Sequence, residues 1–227
     1  LYESKKSGEK FTRLLLVEGY MDVIALAQMG VRNAVATLGT ATSTKHLTRM
    51  FRTVSEVVFC FDGDTAGRNA AWRALETSLP LMEDGRRVRF LFLPDGEDPD
   101  TRVRSIGTEG FLQEIEQATP LEQFFFDKLS EGVDIKSIED KARLSNLAKP
   151  LIRMFPKGVY GQLMLDKLSE TLGISSESLD QLLASAPPER GSRFEPPETM
   201  MAQQPGARSR ATQQPAGLKS IRKSASL

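Results

Sequence analysis

The chain has 227 residues, 40% of them hydrophobic, and its 30 basic and 30 acidic side chains cancel in charge. No apolar run approaches the ~18 residues of a membrane span, so no membrane partner is expected. One cysteine and one histidine exclude a disulfide framework and a four-ligand zinc site. A reducing cytoplasm is the expected setting, and any metal must be a hard cation held by oxygen ligands.

The first half of the chain predicts alternating strands and helices. Short apolar runs predict strands at 14–17, 34–36, 57–61 and 88–93. Helical spacing predicts helices at 20–29, from a cap at Ser43 or Thr44 to 51, and at 66–79, with shorter helical pieces in 102–117. Strands joined by helices through short links predict an α/β fold with a parallel four-stranded sheet flanked by helices over residues 11–118. The polar residues 1–10 carry no start methionine, and we interpret them as the remnant of a preceding subdomain of a longer protein.

The second half of the chain predicts a different architecture. Helical spacing continues at 121–129, 138–155, 161–172 and 176–184 with no strand between these segments, which predicts an all-helical subdomain over residues 119–186. Pro187 and Pro188 end this pattern. Residues 187–227 are dominated by Pro, Gln, Ser, Ala and Arg, a composition that buries too little apolar surface to fold, so a disordered linker or tail is expected.

Acidic residues follow three of the four predicted strands. The set consists of Glu18 after the first strand, with Asp22 one helical turn later, Asp62 and Asp64 after the third, and Asp98 and Asp100 after the fourth. Because parallel strands end at one edge of a sheet, these carboxylates should converge and repel one another unless a cation neutralises them. Mg²⁺, with Mn²⁺ as a possible substitute, fits such ligands and would suit phosphoryl transfer. Each acid also has an ordinary structural alternative as a helix cap, a helix-dipole partner or a turn residue.

Two other interpretations of the central Asp62-Gly63-Asp64 motif differ in strength. An EF-hand loop is excluded, because Ala66 and Arg73 stand where oxygen ligands are required. A dehalogenase-type phosphatase remains a weak alternative, although two strands precede the motif here and that family carries it on the first strand. Backbone N–H groups and a cation for phosphate could come from Gly39-Thr40 and Gly67-Arg68, where ordinary turn and cap roles are equally possible.

Four ordered blocks of sequence resemble the Toprim domain, and in detail the bacterial replicative primases of the DnaG type. The blocks are Val17-Glu18-Gly19-Tyr20-Met21-Asp22-Val23, Leu38-Gly39-Thr40, Phe61-Asp62-Gly63-Asp64-Thr65-Ala66-Gly67-Arg68 and Phe92-Leu93-Pro94-Asp95-Gly96-Glu97-Asp98-Pro99-Asp100. The resemblance extends into the helical region and covers roughly residues 11–184.

The resemblance implies DNA-templated synthesis of short RNA primers from ribonucleoside triphosphates on a single-stranded DNA template. It implies that Glu18, Asp62 and Asp64 are catalytic and hold Mg²⁺, that Asp22, Asp98 and Asp100 complete the metal site, and that Glu18 assists the attacking 3′-hydroxyl. It also implies that zinc is bound only by an N-terminal domain absent from this chain, and that the replicative helicase is docked by an absent C-terminal domain. A Toprim nuclease or phosphatase, and a non-catalytic nucleic-acid-binding module, are the alternatives.

Overall fold

The computed structural model describes residues 11–37 and 42–185. These residues form a five-stranded sheet and the helices that surround it. The strands are β1 (Arg13–Val17), β2 (Ala34–Ala36), β3 (Glu56–Phe61), β4 (Arg87–Phe92) and β5 (Thr119–Pro120). They lie in the order β2-β1-β3-β4-β5. The four predicted parallel strands are confirmed, and the number is corrected by β5, which pairs antiparallel to β4. A two-residue strand is too short to show any periodicity, which is why the sequence gives no sign of it.

Helices follow β1, β2 and β3 as predicted, and further helices fill the rest of the described chain. They are α1 (Tyr20–Gln28), α2 (Thr44–Phe51), α3 (Thr65–Ser78), α4 (Pro99–Gln117), α5 (Leu121–Leu129), α6 (Ile138–Ile152), α7 (Val159–Leu172) and α8 (Ser176–Ser185). The shorter helical pieces predicted over 102–117 are confirmed, because α4 consists of two helical pieces joined by a kink at Gly107, whose φ of 74° and ψ of 166° are not helical. No helix in the described ranges combines the length and the apolar character that crossing a membrane requires.

Alternating side chains of the strands form two different cores on the two faces of the sheet. On one face, Leu15, Val58 and Cys60 pack with residues of α1 and α4. On the other face, Phe59 and Phe90 stack with ring centroids 5.5 Å apart. Trp72 of α3 meets Phe124 of α5 edge-on there, with ring centroids 6.3 Å apart, as expected for a tryptophan that packs a helix onto the sheet.

A buried carboxylate joins three strands at the amino end of the sheet. Glu56, which is 3% exposed, pairs with Arg13 of β1 at 3.1 Å and with Arg89 of β4 at 3.0 Å. Because a buried charge needs such partners, the cluster favours the observed register of β1, β3 and β4. Glu18, Asp62 and Asp98 follow strands at the opposite, carboxyl edge of the sheet.

The described residues all belong to one compact unit. The division of this unit at residue 118 into a metal-binding domain and a helical subdomain stays a prediction. The expected remnant at residues 1–10 and the expected tail at 187–227 lie outside the described residues.

Candidate active site

The parallel strands bring acids from separate parts of the sequence to one edge of the sheet. Glu18 directly follows β1 and Asp62 directly follows β3, and these two strands are hydrogen-bonded neighbours. Asp98 follows β4, the neighbour of β3 on its other side, and begins α4. The fold therefore places the predicted acids at adjacent strand ends, the position where open α/β sheets bind ligands.

The carboxylates of this edge perturb one another electrostatically. The pKa of Glu18 is raised, first by loss of hydration within the protein and then by repulsion from Asp62, Asp22 and Asp64. The pKa of Asp62 is raised in the same way, by desolvation and then by Asp64 and Asp98. Asp62 therefore interacts with acids from both neighbouring strand ends, which makes it the centre of the cluster.

Asp22 connects the acids that follow β1 with those that follow β4. Its carboxylate accepts a hydrogen bond from the backbone N–H of Gly19 at 3.1 Å, which fixes it over the first turn of α1. Desolvation raises its pKa, the Gly19 hydrogen bond partly opposes this rise, and repulsion from Asp98, Asp62 and Asp100 adds to it. Asp22 therefore interacts with acids that follow both β3 and β4, and its role in a metal site stays a prediction.

Asp64 and Asp98 also act as helix caps. Asp64 Oδ1 accepts the backbone N–H of Gly67 at 2.7 Å, and Asp98 Oδ1 accepts that of Thr101 at 2.7 Å. The hydrogen bonds from Thr101 lower the pKa of Asp98 and keep it ionised. The ordinary structural role and the proposed metal-binding role are therefore compatible, because a cap fixes the carboxylate in place.

Two glycines allow the backbone around Asp62 and Asp64 to pack closely. A Cβ atom on Gly63 would lie 2.0 Å from the carbonyl oxygen of Leu93, and one on Gly67 would lie 2.1 Å from that of Asp62. Neither space can accept a side chain, since each contact is to backbone. The Asp62-Gly63-Asp64 turn is thus held against the end of β4, and the start of α3 is held against Asp62.

An ion-pair network that the sequence analysis did not identify supports the loop after β4. The Arg102 guanidinium binds Glu97 of the loop at 3.2 Å and also binds Glu114 in the second half of α4. The network ties both ends of the kinked helix together beside Asp98 and Asp100. The only available signal in the sequence was charge spacing, which does not reveal a contact across a kink.

The predicted phosphate-binding positions have different outcomes. Gly39 and Thr40 lie outside the described residues. The backbone N–H of Gly67 is already donated to Asp64, so packing and capping account for this glycine. Arg68 is exposed, and its guanidinium lies 5.4 Å from the centre of the Phe92 ring. Asp100 forms an ion pair with Arg104 one turn later in α4.

The donor set of this edge suits a hard divalent cation. Within residues 11–37 and 42–185, no three acidic, cysteine or histidine side chains form a ready-made metal cage. Mg²⁺ does not require one, because it takes one or two carboxylates and completes its shell with water and phosphate oxygens. The acids supply oxygen donors only, while Cys60 is buried in the core and its thiol pKa is raised by that burial. The oxygen donors of these carboxylates therefore fit a hard cation, which would reduce the repulsion that raises the pKa values of Glu18, Asp22 and Asp62.

These pKa shifts predict a pH dependence of stability without metal. A carboxylate whose folded pKa is raised binds more protons when folded, so its contribution to stability is highest below its unfolded pKa of about 4 and falls as pH rises through the folded value. Asp62→Asn removes one such group and relieves Glu18 and Asp22. In EDTA, we compare the free energies of unfolding of Asp62→Asn and of the unchanged chain. We expect the value of the variant minus that of the unchanged chain to increase from pH 4 to pH 7. Urea titrations at both pH values measure it, and a difference independent of pH would contradict the electrostatic account.

The chain is similar to known proteins over most of its described length. Residues 15–103 match a family model described as Toprim-like, and residues 123–177 match one described as the DnaB-helicase binding domain of primase. The DNA primase of Pseudomonas putida is 54% identical over 188 residues, which cover 82% of this chain and 28% of that protein. The DNA primase of Escherichia coli K12 is 51% identical over 187 residues, covering 82% of this chain and 32% of that protein. The chain thus spans less than a third of the length of these relatives.

Solved structures agree with the sequence comparisons. A DNA primase domain from Pseudomonas aeruginosa is 53% identical with a TM-score of 0.78, covering 81% of this chain and 58% of that one. A DnaG primase catalytic domain bound to single-stranded DNA is 50% identical with a TM-score of 0.75, covering 78% and 56%. The second family match falls on α5, α6 and α7, whereas the sequence analysis assigned helicase docking to a domain outside the chain. The chain therefore corresponds to a segment of the bacterial DnaG-type DNA primase family, running through its Toprim-like part into the helices that follow.

Proposed function

We propose that this chain forms the acidic half of a primase polymerase core, which joins ribonucleotides into short RNA primers on a DNA template. The observation that supports this best is the coupling of Glu18, Asp22 and Asp62 with the acids after β3 and β4. These carboxylates repel one another at the edge where a parallel sheet binds its ligand. Nucleotidyl transfer needs such a charge-dense site, because its phosphates must be neutralised while bonds change.

The proposed metal ligands are the acids of this edge. Asp62 and Asp64 would hold Mg²⁺ or Mn²⁺, with Glu18, Asp22, Asp98 and Asp100 completing the acidic surroundings. When bound, the cation neutralises phosphate oxygens of the nucleotide and stabilises the charge that develops during transfer.

Glu18 has a second proposed role toward the primer. A carboxylate with a raised pKa is a better proton acceptor than an ordinary one at neutral pH. Glu18 would accept the proton of the primer 3′-hydroxyl as that oxygen bonds to the α-phosphorus and pyrophosphate leaves. Arg68, which is exposed one helical turn after Asp64, would contact nucleotide phosphate.

The proposed partners follow from the relatives. One of the similar structures is bound to single-stranded DNA, which we propose as the template, with ribonucleoside triphosphates as substrates. The match over residues 123–177 supports a helicase contact that includes α5, α6 and α7. A cytoplasmic location at the bacterial replication fork is consistent with these partners.

Product analysis separates this proposal from the alternatives. A full-length primase carrying this segment is incubated with a single-stranded oligonucleotide, Mg²⁺ and labelled ribonucleoside triphosphates. We expect labelled RNA products that require template and disappear in EDTA. Shortened template without incorporation of label would indicate a Toprim nuclease instead, and no product of either kind would indicate a binding module.

A further inference from the structure

Three cations lie along one exposed face formed by α2 and by Arg52, the residue that caps its carboxyl end. Lys45, Arg49 and Arg52 are exposed, and their spacing of four and three residues places them on the same side of the helix. The opposite side carries Leu47 and Met50, which are buried against the protein. At about 1.5 Å of rise per residue, the cationic face extends for about 10 Å.

Within the described residues, these three cations lack the acidic partners that most of the arginines have. No Asp or Glu occurs anywhere between residues 23 and 55. Throughout the described parts of the chain, no acidic side chain forms an ion pair with Lys45, Arg49 or Arg52, whereas Arg13, Arg86, Arg89 and Arg102 are all paired. Three like charges on adjacent turns repel one another. An external anion would relieve this repulsion.

The surface around the three cations offers positive charge and hydroxyl groups to an anion. Lys45, Arg49 and Arg52 line an open depression of about 600 Å³ together with Thr44 and Thr48. No large apolar side chain of α2 is exposed. Protein–protein interfaces usually contain a buried apolar or aromatic centre, which this face lacks. Phosphate oxygens are the better match for a face that offers cations and hydroxyls.

The direction of α2 relates this face to the acidic edge. A helix that joins two parallel strands runs back across the sheet, so α2 begins near the carboxyl edge and ends near the amino edge. A nucleic-acid strand that is bound near the acids would then continue along α2. We infer that α2 binds the phosphate backbone of single-stranded DNA through Lys45, Arg49 and Arg52. The choice of single-stranded DNA rests on the proposed function, whereas the binding itself requires no catalysis.

The test measures binding of the 227-residue chain to a fluorescein-labelled 20-nucleotide oligothymidylate by anisotropy in EDTA, from 50 to 200 mM NaCl. Because each single-strand phosphate contact contributes about 0.7 to the salt slope, Lys45→Ala/Arg49→Ala/Arg52→Ala should lower that slope by about 2. The affinity ratio of unchanged to variant chain should then be about 20-fold larger at 50 mM than at 200 mM. Alanine favours helix, so α2 should persist, and circular dichroism verifies this.

The control is Lys136→Ala/Lys141→Ala/Lys157→Ala, which removes the same charge from the region of α6 and α7. It should leave the salt slope within about 0.5 of the unchanged chain. Equal losses in both variants would overturn the inference, because they would reflect net charge alone. An unchanged salt slope in the α2 variant would overturn the inference too. Equal binding of polyglutamate at this face would also overturn it, because that result would indicate an acidic protein as the partner. EDTA makes these outcomes independent of the metal site, so a failure here and a failure of the catalytic proposal are distinguishable.

Discussion

Asp62→Asn is expected to reduce primer synthesis by a full-length primase carrying this segment about a thousandfold, which corresponds to roughly 4 kcal/mol of transition-state stabilisation. Asparagine keeps the shape of the side chain and removes its charge. Asp62 repels both Glu18 and Asp22 and is itself repelled by Asp64 and Asp98, so its charge contributes to the field of the whole edge. Initial rates of labelled ribonucleotide incorporation at saturating Mg²⁺ measure the loss.

Asp95→Asn is the matched control for this variant. Asp95 is exposed in the loop after β4 and is absent from the interactions that shift Glu18, Asp22 and Asp62. Its replacement should change the rate less than about twofold, as for a surface substitution away from the site. A second measurement separates metal binding from catalysis: Mg²⁺ should raise the melting temperature of the unchanged chain but not of Asp62→Asn. An Asp62→Asn enzyme with a normal rate and a normal Mg²⁺ response would refute the assignment.

Gly67→Ala should destabilise the fold by about 3 kcal/mol, because the added Cβ must push backbone aside and overpacking costs about 1–3 kcal/mol or more. The nearest atom is the carbonyl oxygen of Asp62 at 2.1 Å, and it cannot rotate away as a side chain could. At about 2–4 °C per kcal/mol for a domain of this size, the melting temperature should fall by about 10 °C. Thermal unfolding followed by circular dichroism measures this change.

Gly110→Ala provides the comparison within the same chain. The atoms nearest to the added Cβ would belong to the side chain of Ile106, at 3.3 Å, so a shift of a few tenths of an ångström in that side chain relieves the contact, and alanine favours a helix interior by about 0.5–1 kcal/mol. We expect a melting temperature at or slightly above that of the unchanged chain. If Gly67→Ala melted within about 2 °C of the unchanged chain, less than about 1 kcal/mol would be lost and the close packing of α3 against Asp62 would be disproved.

The sequence predicts the four parallel strands of the sheet, because their apolar runs are local patterns. The apolar runs before Glu18 and Asp62 favour a parallel sheet, and a parallel sheet brings its carboxyl ends to one edge. The remaining features depend on contacts distant in sequence. Arg102 meets Glu114 only because α4 bends at Gly107, and β5 exists only because Thr119 and Pro120 return to β4.

Two features illustrate why local patterns are insufficient at the site itself. Gly67 fits a phosphate-binding turn in sequence, yet its N–H is donated to Asp64 and its lack of a side chain serves packing. The cationic face of α2 was overlooked because the net charge of the whole chain is zero. The gap in acidic residues from 23 to 55 was its visible signal, and a segment-by-segment count of charge would have found it.

Trp72, whose ring contacts Phe124, is an intrinsic fluorescence probe of the protein. Trp72 is the only tryptophan of the chain and is 5% exposed, with its indole N–H donated to Glu76 at 3.0 Å. Its ring contacts α5, the first of the helices that follow the sheet. Fluorescence emission therefore reports on one contact between the sheet-bound helix α3 and the helical region, without any label. Separation of these two parts would expose the indole to water and shift its emission to longer wavelengths. Circular dichroism averages over all helices, so its signal would stay unchanged if the helices themselves persisted.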